Sequence, residues 1–216
     1  MYKLVVFDLD GTLLDTLDDL TASTNAALLT HGFPIRTKEE VRSFIGDGIV
    51  KLLERSVGIE NYPRIQEMVL DFRAYYGEHC KDATRPYAGV LSLLQTLREK
   101  GLKLAVLSNK VHAATQELIA DYFPDTFDVV MGENEAAGIK RKPSPVALLK
   151  IMETLNVKET ETAYVGDSEV DIQTAKNAGV DCISVCWGFK AKEFLEEHGA
   201  QKIVDTALAL KETLLN

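Results

Sequence analysis

Short apolar runs recur along the chain in which aliphatic residues mostly follow one another instead of alternating with polar ones. They are KLVVFD (3–8), LKLAVLS (102–108), DVVMG (128–132), TAYVGD (162–167), CISVCW (182–187) and KIVD (202–205). A strand with one wet face alternates, so continuous runs call for strands covered on both sides. Helical patterns fill the intervals: VLSLLQTLREKG (90–101) with its glycine stop, VHAATQELIADYF (111–123), SPVALLKIMETLN (144–156) and SEVDIQTAKNAG (168–179). This alternation with short connections predicts an α/β fold: a Rossmann-like, doubly wound, mainly parallel sheet.

One stretch breaks the rhythm. From about Thr16 to Lys81 no strand pattern occurs, although a parallel crossover needs only about a dozen residues. Leu17 to Leu29 reads as a helix and Val41 to Val57 as one or two more. Tyr62 to Cys80 reads as another, with Ile65, Met68, Val69, Phe72, Tyr75 and Tyr76 at helical spacing. The economical reading is an inserted all-helical domain, residues 16–81, in an α/β core of residues 1–15 and 82–216. Its two connections, near Asp15–Leu17 and Lys81–Pro86, have the form of a hinge.

The balance of charge narrows the partners. A net charge of −9 over 216 residues argues against nucleic acid, which needs a basic face. It also means that an anionic substrate needs a local positive site, from a metal, a lysine or backbone N–H groups. Cys80, Cys182 and Cys186 are too few for a disulfide framework, and the last two read as small core residues of a strand. No charged-then-apolar leader and no membrane-length apolar run is present. A cytoplasmic protein without a membrane partner is the expectation.

In an open parallel sheet, ligands bind beyond the carboxyl ends of the strands. The first strand ends in Asp8 with Asp10 just beyond, the second in Ser108, and the fourth in Asp167 with Asp171 a helical turn further on. Lys142 precedes a helix start at Pro143. These residues can converge at one sheet edge. Four carboxylates there repel one another unless a cation compensates, and oxygen-only ligands favour Mg²⁺ or a similar hard ion. A metal, a lysine and a hydroxyl are what a phosphoryl group needs. The D-x-D pair divides the labour: one carboxylate attacks phosphorus, the other moves protons.

DLDGT (8–12), SNK (108–110), KP (142–143) and GDSEVD (166–171), in that order, resemble the four signature motifs of the haloacid dehalogenase superfamily. The resemblance spans essentially the whole chain. The helical insertion is similar to the cap domain of its phosphatase and mutase branch, and phosphoglycolate phosphatases are the nearest likeness. The resemblance implies a Mg²⁺-dependent phosphatase acting on a small phosphorylated metabolite, phosphoglycolate favoured, through an aspartyl-phosphate intermediate. Asp8 would be nucleophile and metal ligand, and Asp10 general acid/base and metal ligand through its backbone carbonyl. Asp167 would be the third ligand, with Asp171 supporting the metal from behind. Thr12, Ser108, Asn109 and Lys142 would hold the phosphoryl oxygens. A β-phosphoglucomutase-like phosphotransferase and an inorganic pyrophosphatase share this chemistry and stay open, as does the choice between monomer and dimer. A non-catalytic module conflicts with the filled chemical positions.

Other features carry less. Gly46-x-Gly48 resembles a cap loop but reads equally as an interhelical turn. Arg42 and Lys51, which flank it, read as a solvated face. Ser108-Asn109 has the form of a helix cap. His31, His79, His112 and His198 lack metal spacing, and Trp187 reads as packing.

Overall fold

The computed structural model describes residues 1–216. In chain order, β1 (Leu4–Phe7) leads into β2 (Leu14–Asp15), followed by helices α1 (Leu17–Thr30), α2 (Lys38–Phe44), α3 (Ile49–Val57) and α4 (Ile65–His79). After β3 (Arg85–Pro86) come α5 (Val90–Glu99), β4 (Lys103–Val111), α6 (His112–Tyr122), β5 (Val129–Glu133), α7 (Val146–Leu155) and β6 (Thr162–Gly166). Then α8 (Glu169–Ala178), β7 (Asp181–Val185), α9 (Lys192–Glu197), β8 (Ile203–Val204) and α10 (Ala207–Leu215) complete the chain. Two compact units result: Met1–Leu14 with Pro86–Asn216, and Asp15–Arg85.

The first unit is the sheet unit. Six parallel strands run in the order β5-β4-β1-β6-β7-β8. The chain works outward from β1 to β5, then returns to lay β6 on the other side of β1, so the winding reverses there. All four residues of β1 are buried, as the unbroken run LVVF requires. Leu4 and Val6 face a core formed with Ala105, Leu107, Tyr164, Leu148, Ile151 and Ala175, under α7 and α8. Their neighbours Val5 and Phe7 point to the opposite face, since successive strand residues alternate sides. No helix of the chain is long and apolar enough to cross a membrane.

The start of α8 follows from its own sequence. Ser168 caps it, accepting from the Asp171 amide, while Asp171 reaches back to the Ser168 amide. This reciprocal box satisfies amide groups that have no partner within the helix. Gly179, at φ 71°, ends the helix.

The helical unit packs α1 against α4, with α2 and α3 against them. A second reciprocal box, Thr37 with Glu40, starts α2, and Gly58 at φ 77° closes α3. Ile65, Met68, Val69, Phe72 and Tyr76 are buried on α4 as the spacing predicts. Tyr75 is the exception: it lies on the exposed side and stacks on His79, one turn away. Asp19, fully within this unit, is buried and accepts from the Ala83 amide (2.9 Å), the Thr84 amide (2.9 Å) and the Thr84 hydroxyl (2.7 Å). One carboxylate thus ties the first helix to the segment that ends the unit. Lys51, expected on a solvated face, pairs with Glu54 (2.8 Å) and Glu60 (3.5 Å).

The cysteines depart from expectation. Cys80 is buried, but Cys182 and Cys186 are only partly so, Cys182 lying at the margin of the core. β4 also differs. It continues through Ser108, Asn109 and Lys110, with a register shift between Leu107 and Val111, so Ser108-Asn109 extends the strand and does not cap α6.

Candidate active site

The loop after β1 is drawn tight by one carbonyl. Leu9 O accepts from the amides of Thr12 (3.3 Å), Leu13 (2.9 Å) and Leu14 (3.0 Å). Gly11 sits in this loop at φ +89°, and a Cβ there would collide with the Asp167 carboxylate. Only glycine meets both demands. Asp8 remains on the ladder, its amide donating 2.8 Å to Val165 O of β6, so its side chain leaves a rigid strand end at the winding reversal.

Buried lysine and buried carboxylates meet there. Lys142 Nζ lies 2.7 Å from Asp8 Oδ1 and 2.6 Å from Asp171 Oδ1. Asp171 is fully buried and saturated. Its Oδ1 also accepts from Tyr164 OH (3.1 Å), and its Oδ2 from the Ser168 hydroxyl (2.6 Å) and amide (3.1 Å). Asp167 accepts 2.6 Å from the Phe189 amide, and the Thr12 hydroxyl lies 3.4 Å from its other oxygen. Asp8, Asp167 and Asp171 each offer an oxygen within 4.8 Å of the others.

Lys142 is itself held. Its amide donates 2.7 Å to Asn109 Oδ1, and its carbonyl accepts 3.2 Å from Asn109 Nδ2. The Asn109 side chain thus grips the lysine backbone. Ser108 is buried on β4, its hydroxyl accepting 3.1 Å from the Lys110 amide. Asp10 stands apart from the other carboxylates in its pairing. Lys110 Nζ reaches both its oxygens, at 3.1 and 3.0 Å.

The electrostatics follow from burial. Desolvation lifts Asp8 to about 7 against the pull of Lys142, with Asp171 adding to the rise. Desolvation, then Asp171 and Asp8, push Asp167 well above the ordinary carboxylate range. Burial works against a charged Lys142, yet Asp171 and Asp8 outweigh it and hold the ammonium form far above its usual range. Four carboxyl groups face two ammonium groups, so that with all four ionised the site would carry an excess of two negative charges. A divalent cation with oxygen preference meets both the charge and the donor set.

Asp8, Thr12, Asn109, Lys142, Asp167 and Asp171 stand together through direct side-chain contacts or close carboxylate approach, whereas Asp10 is reached through the Lys110 ammonium and Ser108 through the Lys110 amide. Three participants escaped the sequence reading. Tyr164 announces itself weakly, as a hydroxyl in an otherwise aliphatic run. Lys110 lies inside the SNK motif, two residues past Ser108. Trp187, read as packing, donates 3.1 Å to Thr12 O from its indole nitrogen, and Gly188 is packed so closely that a Cβ would strike Gly11 O and Asp167.

Comparison with known proteins identifies the family. A family model described as haloacid dehalogenase-like hydrolase matches residues 5–185. Phosphoglycolate phosphatase of Vibrio parahaemolyticus is 32% identical over 225 residues, covering 98% of this chain and 96% of that protein. The enzyme of the same name from Pseudomonas savastanoi pv. phaseolicola is 31% identical, covering 94% and 76%. A crystal structure of a provisionally named phosphoglycolate phosphatase from Lactobacillus delbrueckii subsp. bulgaricus superposes with a TM-score of 0.94 at 39% identity, covering 100% of this chain and 99% of that one.

Proposed function

The chain belongs to the haloacid dehalogenase-like hydrolase family, and we propose that it is a Mg²⁺-dependent phosphatase of a small phosphorylated metabolite, 2-phosphoglycolate foremost. The observation that carries the reading is the buried Asp8–Lys142–Asp171 ion cluster beside Asp167 at the end of β1. The names of its relatives support the substrate.

Asp8 attacks phosphorus, and the bond to the leaving oxygen breaks as Asp10 gives that oxygen its proton. Asp10 then takes a proton from water, whose oxygen attacks the aspartyl phosphate and frees both phosphate and Asp8. Lys142 neutralises phosphoryl oxygens, and the Thr12 and Ser108 hydroxyls hydrogen-bond to them. Asn109 contributes by fixing the lysine backbone. Asp171 holds the Lys142 ammonium and the start of α8. Asp8, Asp167 and the Asp10 carbonyl would hold Mg²⁺. When bound, the ion neutralises oxygens of the transferring group and the carboxylate excess.

The test is phosphate release from 2-phosphoglycolate, sugar phosphates, nucleoside monophosphates and pyrophosphate, with Mg²⁺ and with EDTA. Mg²⁺-dependent release led by 2-phosphoglycolate is expected. Asp8→Asn is expected to lose turnover by about a thousandfold or more with its fold intact. A fully active Asp8→Asn protein, or phosphoryl transfer to a second sugar hydroxyl in place of release, would overturn the reading.

A further inference from the structure

We propose that Lys110 is a positioning residue that aims the Asp10 carboxyl at the leaving oxygen; this rests on the phosphatase reading above. The site contains two ion clusters, not one. Lys142 serves Asp8 and Asp171, while Lys110 serves Asp10 through a nearly symmetric pair of contacts, 3.1 and 3.0 Å. The side chains of Lys110 and Asp10 are only 8% and 15% exposed, so this is not a solvated surface pair. Both oxygens of the Asp10 carboxylate accept from this one ammonium group.

The lysine is anchored on both sides of its own peptide. Its amide donates 3.1 Å to Ser108 Oγ, and its carbonyl accepts 3.3 Å from Thr115 Oγ1. Gly132 packs against that carbonyl so tightly that a Cβ would lie 2.6 Å from it. Asp10, by contrast, sits in a loop beyond the end of β1, outside any strand ladder except a single bridge to Leu14. A proton donor on a loop needs an external brace to hold its angle, because catalytic groups tolerate little displacement. The extension of β4 past Leu107 supplies that brace.

The step asks no proton of Lys110. The proton delivered to the leaving oxygen is that of Asp10, and the one Asp10 regains comes from water. Lys110 also meets the charge of Asp10 locally, leaving Lys142 to the nucleophile.

The experiment compares kcat/KM for an alkyl ester, 2-phosphoglycolate, with that for an aryl ester, p-nitrophenyl phosphate, under Mg²⁺. This ratio covers only steps through departure of the leaving group, and an aryl oxide leaves with little help from an acid. Lys110→Met is expected to lower the alkyl value about 10–100-fold and the aryl value several-fold less, and Lys110→Arg to recover part of the difference. Equal losses on both esters, or no loss beyond about twofold, would overturn the proposal. Lys110→Gln carries the same comparison if Lys110→Met fails to fold. Failure of the phosphatase reading itself looks different: wild type then releases no phosphate from either ester, or Asp8→Asn matches it.

Discussion

Asp8, the proposed nucleophile, is a charged group that the fold holds at a cost. Its carboxyl is pushed from 3.8 to about 7, first by burial, so the folded chain binds its proton more tightly than the unfolded chain does. The sign follows: this group favours folding below about pH 4, and that contribution is lost as the pH rises toward 7. In EDTA, the unfolding midpoint of Asp8→Asn is expected to gain on wild type across that interval. Parallel pH profiles in thermal denaturation would contradict this. The same residues were the most legible in the sequence. A charge at the end of an aliphatic run has no packing reason to be there, which is why Asp8 and Asp167 stood out; Lys142 was marked only by its place before Pro143 at a helix start. Tyr164 and Lys110 did not, because their meaning lies in partners that only the fold brings to them: Asp171 for one, Asp10 for the other.

Among the elements, the parallel strands were readable because burial on both faces leaves a run without polar residues. The far end of β4 was not. Ser108, Asn109 and Lys110 look like the close of a strand, yet the backbone stays extended and spends those polar residues on the site. Helix α10 hid for a related reason: ALALKETLL is short, and its start depends on Thr206, whose hydroxyl accepts from the Ala209 amide. Trp187 gave no signal beyond following a strand, since an indole bond to Thr12 O needs two distant loops to meet. Within the helical unit, Asp19 offers the clearest test of one element's hold on another. Asp19→Ala removes a buried acceptor and strands the amides of Ala83 and Thr84 and the Thr84 hydroxyl. The expected cost is about 3 kcal/mol, read from urea unfolding. A loss under about 0.5 kcal/mol would mean that water replaces the carboxylate at no penalty.

For the molecule as a whole, the excess of buried negative charge links metal binding to stability. A cation that binds only the folded chain stabilises it by mass action, about 2.7 kcal/mol at a hundred times its dissociation constant. For a chain of this size that is a rise of roughly 5–10 °C in Tm. Saturating Mg²⁺ is expected to produce such a rise in wild type and much less in Asp167→Asn; an equal rise in both would place the ion elsewhere. Trp187 is the only tryptophan, so its emission should report the same titration from inside the site. The position of β1 has a consequence for how the chain is made. Leu4 pairs with Lys103 on one side and Thr162 on the other. During synthesis this wholly apolar strand leaves the ribosome long before either partner exists. A cell producing the protein must shelter LVVF until β4 and β6 have been made, and a nascent chain released before Thr162–Gly166 is made should aggregate instead of forming a smaller sheet.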